Sequence, residues 1–162
     1  LGCKIIGTVG SDEKIKIAKK NGCDYVINYS KENFAEKVKE ITNGLGVSVV
    51  YDGVGKKTFD QSIECLKVRG TMVSFGNASG PLEPCNVTKS LAPKGLYLTR
   101  PSIAHYTSTR EELDEAANKV FEMFITKKIK LEIFKEYPLE SIINAHEDLE
   151  NRKILGPAIV IP

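Results

Sequence analysis

Three short segments offer a ligand close access to the backbone: Gly10-Ser11, Asp52-Gly53-Val54-Gly55 and Gly76-Asn77-Ala78. Each follows a short β-branched or aromatic run. Without a Cβ, glycine at such a place lets a flat or anionic group approach the peptide chain. A single glycine there reads equally well as an ordinary turn residue. Three at the ends of successive strands point to a binding crevice, because open parallel sheets bind ligands beyond the carboxyl ends of their strands. The crevice is not a standard phosphate loop. No Gly-x-Gly-x-x-Gly occurs, and Gly76-x-x-x-Gly80 lacks the Lys-Ser/Thr ending of a P-loop. Nor does Val9-Gly10-Ser11 carry the acid with which an NAD site holds the ribose hydroxyls. Ser11 supplies a hydroxyl instead, and Lys14 a cation one helical turn later. That pair suits a 2′-phosphate, so the expected cofactor is NADPH over NADH, although Lys14 alone also reads as a solvated helix charge.

Other chemistry is thinly represented. His105 and His146 lie far apart in sequence with no nucleophile beside them, and His146, on an otherwise apolar helix face, reads as a packed histidine. Asp52 is one carboxyl group, not the pair that acid-base work needs. Arg100-Pro101-Ser102 follows a strand and reads as structural or as a cofactor contact. Cys3, Cys23, Cys65 and Cys85 form no Cys-x-x-Cys or Cys/His cluster, so no metal site is expected. They read as buried small apolar groups of a protein in a reducing, cytoplasmic compartment.

The elements that position these residues alternate along the chain. Strands are predicted at 4–9, 25–27, 47–51, 71–75, 96–99, 129–134 and 158–161. Helices are predicted from Ser11, which offers an N-cap oxygen, to Gly22; from Ser30 to Asn43-Gly44; over Phe59, Ile63 and Leu66 to Gly70; from a Thr109-x-x-Glu112 capping box through Phe124; and over 139–149. Strands alternating with helices mean βαβ units, hence an α/β fold with a Rossmann-like, doubly wound parallel sheet. The 162 residues carry 23 Lys+Arg against 21 Asp+Glu, which gives no basic stripe and no reason to expect nucleic acid as a partner. No run approaches the ~20 apolar residues that cross a bilayer, so no membrane partner is expected.

Specific blocks then match a family. Val50-Tyr51-Asp52-Gly53-Val54-Gly55, Val73-Ser74-Phe75-Gly76-Asn77-Ala78-Ser79-Gly80, Leu96-Tyr97-Leu98-Thr99-Arg100-Pro101 and Thr109-Arg110-Glu111-Glu112-Leu113 occur in that order, preceded by Gly7-Thr8-Val9 and Val26-Ile27-Asn28-Tyr29. Together they resemble the NADPH:quinone oxidoreductases, the zeta-crystallin-like, zinc-free branch of the medium-chain dehydrogenases/reductases. The resemblance implies hydride transfer from NADPH to a quinone or similar electrophilic carbonyl. It implies that Ser11 and Lys14 lie near the 2′-phosphate and Tyr29 near the adenosine half. Gly53, Phe75, Gly76 and Asn77 would line the crevice, with Pro101, Ser102 and Ile103 by the nicotinamide half and Arg152 reaching back from the last helix. Serine is usual in the family where Gly53 stands. The resemblance also implies a homodimer paired through the edge strand at 96–99, whose apolar character fits an edge that must be covered.

In the family, a catalytic domain and the first Rossmann strand with its Gly-rich turn precede the point where this chain begins. Residues 1–162 are therefore expected to be a truncated NADP-binding Rossmann domain, with a C-terminal segment that packs back toward that catalytic domain. The neighbours of the absent strand would have unpaired inner edges, at ~1–3 kcal/mol for each buried unsatisfied group. The chain by itself is expected to bind NADPH poorly and to have little activity. No catalytic residue or proton donor is identified among these residues. Two other readings stand beside this one: a non-catalytic remnant or binding module of the same fold, and an enal or enoyl reductase of the same family.

Overall fold

The structure, a computed structural model, describes residues 2–151 and 153–162. The chain divides into two compact units, one ending at Ile103 and the other beginning at Ala104. The first contains β1 (Ile6–Val9), α1 (Glu13–Lys20), β2 (Tyr25–Asn28), α2 (Phe34–Ile41), β3 (Val47–Asp52), α3 (Phe59–Cys65), β4 (Leu66–Ser74), α4 (Val87–Ser90), a 3-10 turn (Ala92–Lys94) and β5 (Tyr97–Thr99). Every strand pairing is parallel, in the α/β class that the sequence predicts. The ladders are two: β1 pairs with β2, and β3-β4-β5 form a separate three-stranded sheet.

One cluster joins the two ladders from below. Phe34, Ala35 and Val38 share one face of α2 and are buried with Ile27 and Cys65, and Ile6 of β1 and Val47 and Val50 of β3 pack against the same cluster. Asn33 starts that helix, its side chain accepting from the backbone N–H groups of Ala35 and Glu36. Ser30 does not start it, as the sequence suggested; its N–H is taken by Asn28 Oδ1. Asn43 and Gly44, both at positive φ, end it. A second cluster of Phe59, Leu66, Met72, Leu91 and Leu96 supports β4 and β5. Burial of a side chain the size of Leu66 or Met72 contributes about 1.5–3 kcal/mol.

Several expectations shift. The third helix stops at Cys65, not at Gly70, and β4 begins at once with Leu66 in an extended conformation. The spacing of Phe59, Ile63 and Leu66 suits a helix, but Leu66 serves the second cluster from a strand. Lys94 holds the helix end there, its Nζ donating to the carbonyls of Glu64 and Leu66 at 2.9 and 2.6 Å. The extra residues make a bulge between the Val47–Leu66 and Val49–Thr71 pairs. Of the four free thiols only Cys65 is buried; Cys3 is exposed, and Cys23 and Cys85 lie between. Burial pushes the Cys65 thiol up to about 11, so it stays protonated.

In the second unit, a short α5 (Ile103–Tyr106) stands at the division, followed by α6 (Arg110–Ile125), β6 (Lys135–Pro138), α7 (Ile142–Glu150) and β7 (Ala158–Ile161), with β6 and β7 paired in parallel. The capping box is present: Thr109 Oγ1 accepts from Glu112 N–H and the Glu112 carboxylate accepts from Thr109 N–H. No residue of α6 is buried, so caps and the Arg110–Asp114 and Lys119–Glu115 pairs carry this helix locally. The strand predicted at 129–134 lies at Lys135–Pro138 instead, because Tyr137, opposite Val160, is the side chain that finds burial. His146 is exposed rather than packed.

Asp148 ties α7 to β6. Its carboxylate accepts from Tyr137 Oη and Lys135 Nζ, both at 2.8 Å, and from Lys153 Nζ at 3.1 Å. The hydrogen bond from Lys135, then those from Tyr137 and Lys153, hold its pKa far below the ordinary carboxylate range. A depressed folded-state pKa contributes stability above the unfolded value of about 3.9, and that contribution fades as pH falls below about 4. Asp148→Asn is therefore expected to speed amide exchange in β6 and β7 at neutral pH, and to make it less sensitive to acid below about pH 4. An Asn variant with the wild-type acid response would show that the carboxylate is not the tie.

Candidate functional site

The carboxyl end of β3 is built around Asp52. Its side chain, 4% exposed, accepts four hydrogen bonds. Oδ1 takes the N–H groups of Val54 and Gly55 at 2.8 and 2.9 Å, and Oδ2 takes the hydroxyls of Thr58 and Ser62, both at 2.8 Å. Asp52 is thus committed to folding the turn over 53–58 onto the start of α3. With all four acceptor sites occupied, no lone pair is left over for a substrate proton.

That turn meets the next one backbone to backbone. Phe75 N–H and Gly76 N–H donate to the carbonyl of Asp52 at 2.9 and 3.3 Å, and Ala78 N–H donates to the carbonyl of Gly53. A Cβ on Gly76 would stand 2.3 Å from Gly53 O and 2.7 Å from Gly53 Cα, so only glycine permits this approach. Gly55 has a φ of +87°, and a Cβ there would lie 2.9 Å from Gly80 O. Phe75 lays its exposed ring over Gly53, where a Cβ would come within 3.0 Å of the ring edge. Those ring atoms are the far end of a half-exposed side chain, so the serine usual in the resembling family would fit with a small ring shift. Arg100 closes the far side: Nη1 donates to the carbonyls of Ser74 and Gly76 at 3.0 and 3.2 Å. It thereby fixes the strand end that leads into Pro101, Ser102 and Ile103, of which Ile103 is 81% exposed.

The ends of β1 and β2 form a second group. Tyr29 N–H continues the ladder to Val9 O, and its hydroxyl stands over Gly10, 2.9 Å from where a Cβ would be. Ser30 Oγ donates to Gly10 O at 2.9 Å. Ser11 does not cap α1. The cap position is Asp12, whose side chain makes no cap bond. Asp12 turns to Lys31, with which it forms an ion pair, and accepts from Asn28 Nδ2 at 2.7 Å. The Lys31 hydrogen bond, then that of Asn28, lowers its pKa. Ser11 and Lys14 are half-buried at the start of α1, with no ion pair among the described residues. The sequence reading did not single out the Asp12–Lys31 pair. The only signal for it was a basic residue three positions beyond Asn28, at the end of a neighbouring strand.

The predicted residues therefore lie in two groups. Gly10, Ser11, Lys14 and Tyr29 sit at the ends of one ladder; Gly53, Phe75, Gly76, Asn77, Ala78, Pro101, Ser102 and Ile103 sit at the ends of the other. Arg152 lies outside the described residues. Among the described residues, no group of three or more His, Cys, Asp or Glu side chains could hold a metal ion, and no helix is long and apolar enough to cross a membrane. The arrangement offers close backbone approach at Gly10, Gly53 and Gly76, a hydroxyl and a cation at Ser11 and Lys14, and a neighbouring acid neutralised by Lys31. Those donors fit an extended dinucleotide that carries an extra phosphate on its adenosine half.

Comparison with known proteins gives a consistent relationship. Residues 1–122 match the family described as "Zinc-binding dehydrogenase". Quinone oxidoreductase 1 of Escherichia coli (strain K12) is 46% identical over 164 residues, a match that takes in 100% of this chain and 50% of that protein. A 2-haloacrylate reductase of Burkholderia sp is 40% identical over 163 residues, again with 100% of this chain and 49% of the relative. The crystal structure of an E. coli quinone oxidoreductase complexed with NADPH superposes with a TM-score of 0.95 at 46% identity, over 100% of this chain and 50% of that one. The chain thus spans about half the length of the curated relatives it matches.

Proposed function

We propose, for a chain that belongs to the zinc-binding dehydrogenase family and within it to the quinone oxidoreductase branch, that residues 1–162 are the cofactor-binding part of a cytoplasmic NADPH-dependent reductase. In this reading they form an NADP-binding Rossmann domain that lacks its first strand and Gly-rich turn, with a C-terminal segment that packs back toward a catalytic domain. The observation that carries the reading is the pair of glycine turns at Gly53 and Gly76, sealed backbone to backbone beside an adenosine-side corner that has a cation at Lys14 and an acid, Asp12, paired with Lys31. When bound, NADPH supplies the hydride, and a quinone or similar electrophilic carbonyl receives it. This chain's own residues bind and orient. Gly53 and Gly76 admit the flat cofactor, Phe75, Asn77 and Ala78 line its side, and Pro101, Ser102 and Ile103 border the nicotinamide half. Ser11 and Lys14 receive the 2′-phosphate. Tyr29 covers Gly10 at the adenosine half, and Lys31 keeps Asp12 from repelling the phosphate. The exposed edge strand β5 pairs two copies into a homodimer.

Titration of the chain with NADPH and NADH tests this. Because β1 and β3 are not bonded to each other, binding is expected to be weak, with NADPH the tighter of the two. Lys14→Ala is expected to lower the affinity for NADPH about fivefold to tenfold, as for one lost phosphate contact, while the affinity for NADH stays put. Preference for NADH, or equal losses for both, would overturn the assignment of this corner. A second reading, reduction of an activated carbon–carbon double bond as in an enal or enoyl thioester, draws on the 40% identity to a 2-haloacrylate reductase, whose named substrate is an unsaturated acid. Comparing a quinone with an acrylate as hydride acceptor in a full-length protein carrying this chain separates the two.

A further inference from the structure

We propose that the Nε–Nη2 edge of Arg100 is a carboxylate site, which selects α,β-unsaturated acids as hydride acceptors. This rests on the reading of the crevice as a reductase site and adds a substrate class to it. Arg100 follows β5 and is exposed. Its Nη1 donates to the carbonyls of Ser74 and Gly76 at 3.0 and 3.2 Å, which uses the hydrogens of that nitrogen. A guanidinium has five N–H donors, so Nε–H and the pair on Nη2 remain. Among the described residues no Asp or Glu forms an ion pair with Arg100. Its charge and its open edge are therefore unspent.

Bridging two carbonyls does not need a guanidinium. In the same unit Lys94 Nζ bridges the carbonyls of Glu64 and Leu66 at 2.9 and 2.6 Å with an ammonium group. What arginine adds at position 100 is a planar fork. Nε–H and one N–H of Nη2 run parallel and match the two oxygens of a carboxylate. Anchoring Nη1 to the main chain also fixes the plane of that fork before a ligand arrives, so less side-chain freedom is lost on binding. Its place decides which anion it meets. Ser74 and Gly76 flank Phe75 at the end of β4, and Arg100 leads into Pro101, Ser102 and Ile103, the border assigned to the nicotinamide half. Lys14, the cation assigned to the 2′-phosphate, stands at the start of α1, which follows β1 of the other ladder. Arg100 thus serves the acceptor end of the crevice. Of the two acceptors compared above, a quinone has no formal charge and presents its carbonyl oxygens singly, whereas an acrylate carries a carboxylate beside its double bond. When an acrylate is reduced, its β-carbon gains the hydride of NADPH and its α-carbon a proton from solvent. The carbon–carbon π bond is lost, NADP⁺ is left, and the carboxylate is unchanged, so it can stay on the fork throughout. Acrylamide, with one oxygen and no charge for the same edge, is the matched control.

The test follows the Nε–H resonance of Arg100, assigned through its own side chain, in the full 162-residue chain. Acrylate is expected to move this resonance downfield and to slow its exchange with water, and acrylamide to leave it in place. A full-length protein carrying this chain supplies the second readout. There the ratio of kcat/KM for acrylate over acrylamide is expected to fall about tenfold in Arg100→Lys, as for one lost charge-assisted hydrogen bond, with the change in KM for acrylate. If that variant does not fold, the comparison of acrylate with acrylamide on the unaltered chain decides alone. No response to acrylate overturns the proposal, as does an equal response to acrylamide. NADPH that moves the same resonance and blocks the response to acrylate also overturns it, since the edge then belongs to the cofactor's phosphates. The two readings fail separately. A chain that binds NADPH and shows no response to acrylate loses only the carboxylate site. A chain that binds no NADPH fails the reductase reading, and the substrate class falls with it.

Discussion

Asp52→Ala is expected to cost about 3–4 kcal/mol and to open the turn over 53–58. The loss would strand two backbone N–H groups, of Val54 and Gly55, and two hydroxyls, of Thr58 and Ser62, in a buried site. An unsatisfied buried donor costs about 1–3 kcal/mol, although the hydroxyls can turn to other acceptors, which holds the sum below four full penalties. Against a typical domain stability of 5–15 kcal/mol this is a large fraction. Asp52→Asn is a sharper probe. Its amide oxygen can keep both N–H groups, and its NH₂ can donate to Thr58 and Ser62 once their hydroxyls rotate, so the expected cost drops to about 1–2 kcal/mol. Denaturant unfolding of the two variants checks this ordering. Equal losses would mean that a formal charge at Asp52, rather than its acceptor geometry, holds the turn.

Gly76→Ala is expected to destabilise the chain by about 1–3 kcal/mol and to lower its midpoint by roughly 3–10 °C. Every atom that a Cβ would meet there within 3 Å is Gly53 backbone, which cannot move aside without breaking the bonds between the turns. The same substitution at Gly10 meets the Tyr29 ring and hydroxyl, the far end of a side chain, and is expected to be mild. Thermal unfolding of the two variants decides it: if they fall equally, the backbone contact between the turns is not what fixes the crevice. In the proposed cofactor reading, Gly76→Ala also weakens NADPH more than Gly10→Ala does, because it displaces the wall and not only a cover.

Much of this site was legible beforehand for a simple reason. Glycines at strand ends, a capping box and β-branched runs act through local backbone geometry, which sequence encodes directly. The glycine turns at 53 and 76, the helix opened by Thr109 and the parallel α/β winding stand where the residues placed them. Readings that depended on what a side chain would meet fared differently. Ser11 has the right chemistry for a cap, yet the cap position falls on Asp12, drawn toward Lys31 on a neighbouring strand end. Leu66 continues a helical spacing, yet burial in the second cluster pulls it into β4. Three of the four cysteines are not buried, since a small apolar thiol needs a neighbour, and only Cys65 has the α2 face above it.

The sequence by itself determined the alternation of strands and helices, the glycine positions that allow close approach, and the absence of an acid at Val9-Gly10-Ser11, because each is a property of a residue and its near neighbours. Tertiary structure alone decided that Asp52 is fully used as an acceptor and that Gly53 and Gly76 touch. It also decided that Asp12 is neutralised by Lys31, and that Arg100 bridges the carbonyls of Ser74 and Gly76. Those four facts are contacts between segments about 20 or more residues apart, apart from the local turn at Asp52. Such contacts exist only once burial against the α2 face has brought the segments together.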